Sequence, residues 1–163
     1  MGWMKDETGL EKTQANFVPL TPLSHLQRAA KVFPTSTAVV YNNHRANYAE
    51  YYARCSQLAS ALIDVGVKPG SVVATILPNV PAQAEAHFGV PACGAVLNTI
   101  NTRLDVDTVS YIFNHGEAKV VLVDTQFLTL AESACDKVDG NAPLIIEVPD
   151  PSAGFQSSGK YIT

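Results

Sequence analysis

The sequence has little of what nucleic-acid-binding, membrane-spanning or secreted proteins need. Only 16% of its 163 residues are charged, the net charge is -4, and no run of basic residues is longer than two, which argues against a nucleic-acid surface. No apolar stretch reaches the roughly 20 residues of a bilayer span. The first residues, MGWMKDETGLEKTQ, are too polar for a secretory signal. The hydrophobic content of 47% instead predicts a globular chain with a core.

Cysteine is also scarce, and its spacing does not suggest a metal site. Cys55, Cys93 and Cys135 lie far apart, and the chain has neither a Cys-x-x-Cys pair nor a paired histidine spacing. Cys55 and Cys93 have apolar neighbours on predicted helices. We therefore expect buried free thiols of a reducing compartment, with no metal bound.

Helix caps and a turn organise the amino-terminal half. A helix is predicted to begin at its cap, Thr21, and a hairpin is predicted to pair Ala38–Tyr41 with Arg45–Tyr48. Asn47 caps the next helix, with Glu50 in the capping-box position. The predicted apolar stripe of that helix consists of Tyr52, Cys55, Leu58, Ala59, Leu62 and Val65.

Strands and helices alternate from Val72 onward. The predicted strands are Val72–Leu77, Ala95–Asn98, Lys119–Val123 and Leu144–Val148, and the predicted helices are Val80–Cys93, a helix capped by Asp105, and Gln126–Val138. Continuous apolar strands that alternate with helices are typical of a parallel sheet buried on both faces. The predicted fold class is therefore α/β, a mainly parallel sheet with helices on both faces.

The run PNVPAQAEAHFGVPACGAVLNTINTRLDVDTVSYIFNHGEAKVVLVD, preceded in order by YNNHRANY and YYARCSQLASALIDVGVKPGSVVA, carries a family resemblance. It resembles the amino-terminal part of adenylate-forming acyl-CoA synthetases, the AMP-binding acyl-activating enzymes of plants and fungi. The resemblance extends from Phe17 to Lys160, and its most specific piece is Leu97–Leu104. It implies the amino-terminal subdomain of that fold, incomplete here, spanning residues 19–163 after a flexible arm of residues 1–18.

The resemblance also implies a function for the complete enzyme. Such enzymes activate a carboxylic acid, here a fatty acid by expectation, with ATP and Mg²⁺ as an acyl-adenylate, and then form a thioester with coenzyme A. The family's Ser/Thr/Gly-rich phosphate loop, its ribose-binding aspartate and its carboxy-terminal lysine have no counterpart in this chain. We therefore expect a fragment that is inactive alone, binds no cofactor by itself, and has the remainder of the enzyme as its partner. The expected location is cytoplasmic, or peroxisomal for the complete enzyme.

One stretch imitates a phosphate-binding motif. Residues Gly154–Lys160 fit G-x-x-x-x-G-K, but Tyr161 stands where a P-loop needs Ser or Thr for magnesium. No helix follows whose N-terminal dipole could face a phosphate. We interpret this stretch as a surface loop.

Few other residues invite a functional interpretation, and the sequence assigns no catalytic, cofactor-binding or metal residue and leaves the substrate-binding residues unknown. His87 is either a contact to substrate or to an adjoining subdomain, or a packed, hydrogen-bonded histidine. Asn98, Asn101 and Arg103 follow a strand's carboxyl end, where open α/β sheets bind ligands, but such side chains also pair locally in loops.

Two hypotheses remain open at this point. The first is the ligase fragment; the second is a stand-alone, degenerate α/β binding module without catalysis. The fragment hypothesis predicts an uncovered apolar surface, because the Val80–Cys93 helix carries small or apolar residues around much of its circumference. Phe88 or Val90 is expected to contribute to that surface and to make the isolated chain self-associate.

Overall fold

The computed structural model describes Thr13 and residues 17–163. An antiparallel hairpin consists of β1 (Thr37–Tyr41) and β2 (His44–Asn47). One parallel sheet consists of β3 (Val72–Ile76), β4 (Val96–Thr99), β5 (Ala118–Asp124) and β6 (Leu144–Val148), in the order β4-β3-β5-β6. The predicted parallel α/β sheet is confirmed. The predicted arm, residues 1–18, lies almost wholly outside the described residues.

Helices cover both faces of the sheet, as the apolar strands require. One core joins alternate residues of the strands to α2 (Tyr48–Asp64) and α3 (Pro81–Ala92). The other core joins the remaining strand residues to α4 (Val106–His115) and α5 (Leu128–Cys135). The two central strands, β3 and β5, are therefore buried on both sides, with fully buried side chains such as Val73 facing one core and Ile76 facing the other.

The amino-terminal elements begin where the caps predict. In α1 (Pro22–Val32) Thr21 and Ser24 form a reciprocal capping box. The hairpin joins β1 (Thr37–Tyr41) to β2 (His44–Asn47) through a two-residue turn. Asn47 accepts from the Glu50 amide at 2.9 Å while Glu50 accepts from the Asn47 amide at 2.8 Å, which starts α2.

The end of α2 is also encoded locally. Gly66 adopts φ +92°, a conformation that costs a glycine little, and its amide donates to Ile63. The Val67 amide then donates back to Leu62, which completes a Schellman motif.

The predicted apolar stripe of α2 is partly wrong. Cys55, Ala59 and Leu62 are buried as expected, but the buried tyrosine is Tyr51 and not Tyr52. Tyr51 donates its hydroxyl to the Ala84 carbonyl at 2.7 Å on α3, so the position that faces α3 is taken by the tyrosine with a hydrogen-bond partner.

The last predicted helix, Gln126–Val138, is shorter in the structure. Thr125–Phe127 form a 3₁₀ turn because the Asp124 carboxylate accepts from the Gln126 amide at 3.0 Å. The α-helix then covers Leu128–Cys135, and i→i+3 backbone bonds continue the turn to Val138.

The expected role of Val90 in an exposed patch is wrong. Val90 is 0% exposed and belongs to the core between α3 and the sheet. Phe88 is half-buried and meets Tyr51 edge-on, with ring centroids 5.7 Å apart. Gly89 allows this close packing: a Cβ there would lie 2.8 Å from the Leu58 side chain. The lack of a side chain at Gly89 thus lets α2 approach α3 closely.

Candidate functional site

The loop that imitates a P-loop encloses a carboxylate of the protein itself. Glu147, on β6, is 1% exposed, and its oxygens accept four hydrogen bonds. The donors are the Thr125 hydroxyl at 2.7 Å, the Ser158 amide at 2.8 Å and hydroxyl at 2.7 Å, and the Ser157 hydroxyl at 3.3 Å. Burial alone would raise the pKa of Glu147, but these bonds together hold it below its ordinary value. The loop's donors are therefore occupied by an internal anion.

The basic residue of the same stretch is also engaged. Lys160 donates to Glu132 on α5 at 2.6 Å, and the Tyr161 hydroxyl donates to the same carboxylate oxygen at 2.7 Å. These two bonds hold the pKa of Glu132 below its ordinary value. Ile162 then lies beside β6, where its carbonyl accepts from the Glu147 amide at 2.8 Å. The interpretation of Gly154–Lys160 as a surface loop agrees with these contacts.

A second buried carboxylate ties the hairpin to the sheet. The Tyr41 hydroxyl donates to Asp150 at 2.6 Å, and the Ser152 hydroxyl donates to the other Asp150 oxygen, also at 2.6 Å. The bond to Asp150 raises the pKa of Tyr41, with burial and the charges of Asp150 and Asp124 adding to it. Burial would raise the pKa of Asp150, but the bonds from Ser152 and Tyr41 lower it. The contact fixes the turn of the hairpin at the carboxyl end of β6.

Asp124 ends β5 on the same side of the sheet. It is 0% exposed; one oxygen receives the Gln126 amide, and the other is buried with no hydrogen-bond partner among the described residues. Thr75, on the neighbouring strand, has a buried hydroxyl that also lacks a hydrogen-bond partner among the described residues. Buried polar atoms are nearly always paired, so these two atoms mark the least satisfied part of the sheet.

The predicted polar cluster after β4 does not converge on a ligand position. The Asn101 side chain accepts from the Arg103 amide at 3.0 Å, which is a local turn contact. The Asn98 amide nitrogen lies against Gly116, where an added Cβ would approach it to 3.3 Å. Asn101 and Arg103 are exposed. The interpretation in which such side chains satisfy the loop is supported for Asn101.

His87 lies on the exposed side of α3. Its Nδ1 is 2.7 Å from the Gln83 carbonyl one turn earlier, so it is hydrogen-bonded but not packed in a core. Together with Phe88 it lines a groove of roughly 630 Å³ between β1 and the start of α3. A smaller hollow of roughly 190 Å³ lies on the β2 side, where Arg54 and Glu85 form a two-pronged ion pair at 3.0 and 3.1 Å.

Sequence reasoning missed the buried carboxylates Glu85, Glu147 and Asp150, which organise these contacts. The available signal was a charged residue within the apolar strand LIIEV, followed by a serine-rich loop. Within the described part of the chain, no group of three or more His, Cys, Asp or Glu side chains could hold a metal ion. None of the helices from residue 17 onward combines the length and hydropathy needed to cross a membrane.

Comparison with known proteins shows the family to which the chain belongs. The family model described as AMP-binding enzyme matches residues 26–160. The chain belongs to the AMP-binding enzyme family. The peroxisomal acetate/butyrate–CoA ligase of Arabidopsis thaliana is 42% identical over 165 residues, covering 98% of this chain and 29% of the relative. The peroxisomal trans-cinnamate:CoA ligase of Petunia hybrida is 46% identical over 127 residues, covering 78% of this chain and 22% of the relative.

Solved AMP-binding structures share the fold. A fatty acyl CoA synthetase of Mycobacterium tuberculosis aligns with a TM-score of 0.70 and 28% identity, over 76% of this chain and 25% of that one. A benzoate CoA ligase from Burkholderia xenovorans aligns with a TM-score of 0.73 and 22% identity, over 77% and 25%, and this likeness concerns the fold alone. The chain therefore spans less than a third of the length of each of these four proteins.

Proposed function

We propose that this chain is the amino-terminal part of an ATP-dependent, AMP-forming acyl-CoA ligase. The complete enzyme activates a carboxylic acid as an acyl-adenylate and transfers the acyl group to coenzyme A. The family match and the names of the relatives support this proposal. Those names include acetate, butyrate and trans-cinnamate, so a fatty acid of short chain is the first candidate substrate and an aryl acid the second.

We further propose that the chain is inactive alone, and one observation carries this part. Triphosphate chemistry requires amides and cations that face the phosphates. Here the Ser158 amide and hydroxyl face Glu147, and Lys160 faces Glu132. These residues do not fit ATP, because a phosphate would have to displace a protein carboxylate from each of them. Residues 19–163 thus form a partial subdomain, and the ATP, Mg²⁺ and coenzyme A sites of the complete enzyme lie in its remainder.

A chimera tests the proposed function. The segment of the Arabidopsis acetate/butyrate–CoA ligase that matches this chain is replaced by residues 1–163 of this protein. We expect the chimera to show acid-dependent pyrophosphate exchange and acyl-CoA formation with acetate, butyrate or cinnamate. We expect the isolated chain to show neither. Acid-dependent exchange by the isolated chain would refute its inactivity, and a folded chimera inactive on every acid would refute the assignment.

The location of the complete enzyme is part of the same proposal. Relatives named as peroxisomal favour the peroxisome over the cytoplasm. Fluorescence microscopy of the complete enzyme, tagged at its amino terminus, is the direct measurement. A diffuse cytoplasmic signal would contradict the peroxisomal assignment.

A further inference from the structure

The groove between β1 and α3 presents the open edge of a strand. Three consecutive residues of β1, Val39, Val40 and Tyr41, line it. The adjacent smaller hollow shares Val39 with the groove and takes its other strand residues from β2. Successive side chains of a strand point to opposite faces, so three consecutive residues can line one groove only if the edge of the strand faces that groove. Within residues 17–163, β1 pairs only with β2. The edge facing the groove therefore has no strand beside it.

The register of the hairpin shows which backbone N–H and C=O groups of β1 point away from β2. Tyr41 and His44 are paired across the two-residue turn, and the residues that flank such a turn exchange their hydrogen bonds. Because the direction alternates along a strand, the N–H and C=O of Val40 point away from β2. Val40 is 59% exposed. An isolated two-stranded hairpin is marginal in water, and a third strand would stabilise this one.

The wall of the groove opposite β1, formed by α3, also suits an extended strand. Gln83 lines the groove, and its side-chain oxygen is buried and has no hydrogen-bond partner in the part of the chain that the structure describes. A buried acceptor of this kind calls for an N–H donor. Ala84 and Phe88 provide apolar wall on either side. Backbone donors and alternating apolar side chains are what an extended strand supplies when it adds to a sheet edge.

We propose that an extended, apolar strand from the remainder of the ligase fills this groove and pairs with β1 through Val40. This inference rests on the proposed function, because it requires a longer chain. The chain spans only 29% of the Arabidopsis ligase, so most of a complete enzyme is available to supply the strand. The described residues that lead into the groove do not fill it: Val18 and Leu20, just before α1, are 72% and 79% exposed. The added strand joins the hairpin to the later part of the enzyme.

Hydrogen exchange of the Val40 amide tests the pairing. In the isolated chain this amide is expected to exchange as an unpaired edge amide. In the chimera it is expected to exchange roughly tenfold or more slowly, as the gain of a strand hydrogen bond predicts. Equal rates in the two proteins would overturn the proposal. So would protection already present in the isolated chain: loss of that protection on dilution would assign the groove to a second copy, and its loss on deleting residues 1–12 would assign it to that segment.

A pair of substitutions gives an independent readout. Val40→Pro removes the outward N–H and leaves the bonds to β2 in place, and Val40→Thr keeps the N–H with a side chain of similar shape. We expect the proline variant to melt about 1 °C below the threonine variant in the chimera, because the contribution of one hydrogen bond is divided by the unfolding entropy of a chain more than three times as long as this one. In the isolated chain the two should melt together. Equal melting in both proteins would contradict pairing through Val40.

These experiments separate the inference from the proposed function. An active chimera with an unprotected Val40 amide would overturn the groove assignment alone. An inactive chimera with a protected Val40 amide would overturn the ligase assignment and support the strand. If the chimera does not fold, the exchange measurement is made at the aligned position of the complete Arabidopsis ligase, and an unprotected amide there overturns the pairing.

Discussion

Glu147 supports the carboxyl-terminal loop, and its removal has a calculable effect. Glu147→Ala deletes the acceptor of four hydrogen bonds. A bond to a charged group contributes about 1.5–3 kcal/mol, but most of these donors lie on an exposed loop and regain water when the carboxylate is lost. We therefore expect a net loss of about 2–3 kcal/mol in the free energy of unfolding, or about 5–10 °C in melting temperature.

The assay is urea and thermal unfolding of the isolated chain, followed by circular dichroism. Glu147→Gln keeps the volume and one acceptor but turns an amide group toward donors, so we expect about half the loss of the alanine variant. Glu117→Gln serves as the control, because Glu117 is exposed and should change stability by less than about 0.5 kcal/mol. A Glu147→Ala variant as stable as this control would refute the reasoning.

The same carboxylate sets a pH dependence. The pKa of Glu147 is lowered in the folded chain from its ordinary value of 4.5. Its contribution is therefore complete above that value and is lost as the pH falls through the lowered, folded-state pKa. The difference in stability between wild type and Glu147→Ala should shrink between neutral pH and the acid range. A difference that stayed constant across that window would show that the charge of Glu147 is not involved.

Three further outcomes concern a helix contact, a helix cap and the cysteines. Gly89→Ala should lower stability by about 1–3 kcal/mol, because the added Cβ meets Leu58 at 2.8 Å; an unchanged urea midpoint would contradict this. Asn47→Ala should lower the free energy of unfolding by about 1 kcal/mol through the lost capping box. Asn47→Asp should be nearly as stable as the wild type in the same assay, because aspartate is also a good N-cap. Burial raises the pKa of Cys55 to about 12 and that of Cys135 to about 11, so both should react slowly with a thiol reagent at pH 8 in the native chain and rapidly in urea. Fast native labelling would contradict this.

Sequence reasoning was most successful where the signal is local. The caps at Thr21, Asn47 and Asp105 are in place because each satisfies amides within three residues. The parallel sheet followed from apolar strands that alternate with helices, and Leu144–Val148 matches the observed strand end to end. These features depend on neighbours in the chain and need no knowledge of distant contacts.

Failures occurred where a distant partner decides the outcome. Tyr51 and Tyr52 differ in burial because only Tyr51 reaches the Ala84 carbonyl. The expectation that Phe88 or Val90 contributes to an exposed patch failed for Val90, because the sequence does not show which side of α3 packs on the sheet and on α2. The Glu147 cluster joins residues of β6 to a loop ten and eleven positions later, and no periodicity in the sequence marks it. The groove, likewise, exists only once the hairpin is docked through Tyr41 and Asp150.

The order of the sheet bears on how the protein is made. Its four strands all come from one continuous stretch, residues 72–148, and each pairs with strands close to it along the chain. All the strand pairs of the sheet can form once this stretch is available, without residues that lie further along the chain. The hydrophobic nucleus can therefore assemble on the ribosome before most of a ligase of family length has been synthesised, since domains generally fold as units in order of synthesis. In the proposed ligase the edge of β1, by contrast, would stay uncovered in the nascent chain until the strand that pairs with it had been synthesised.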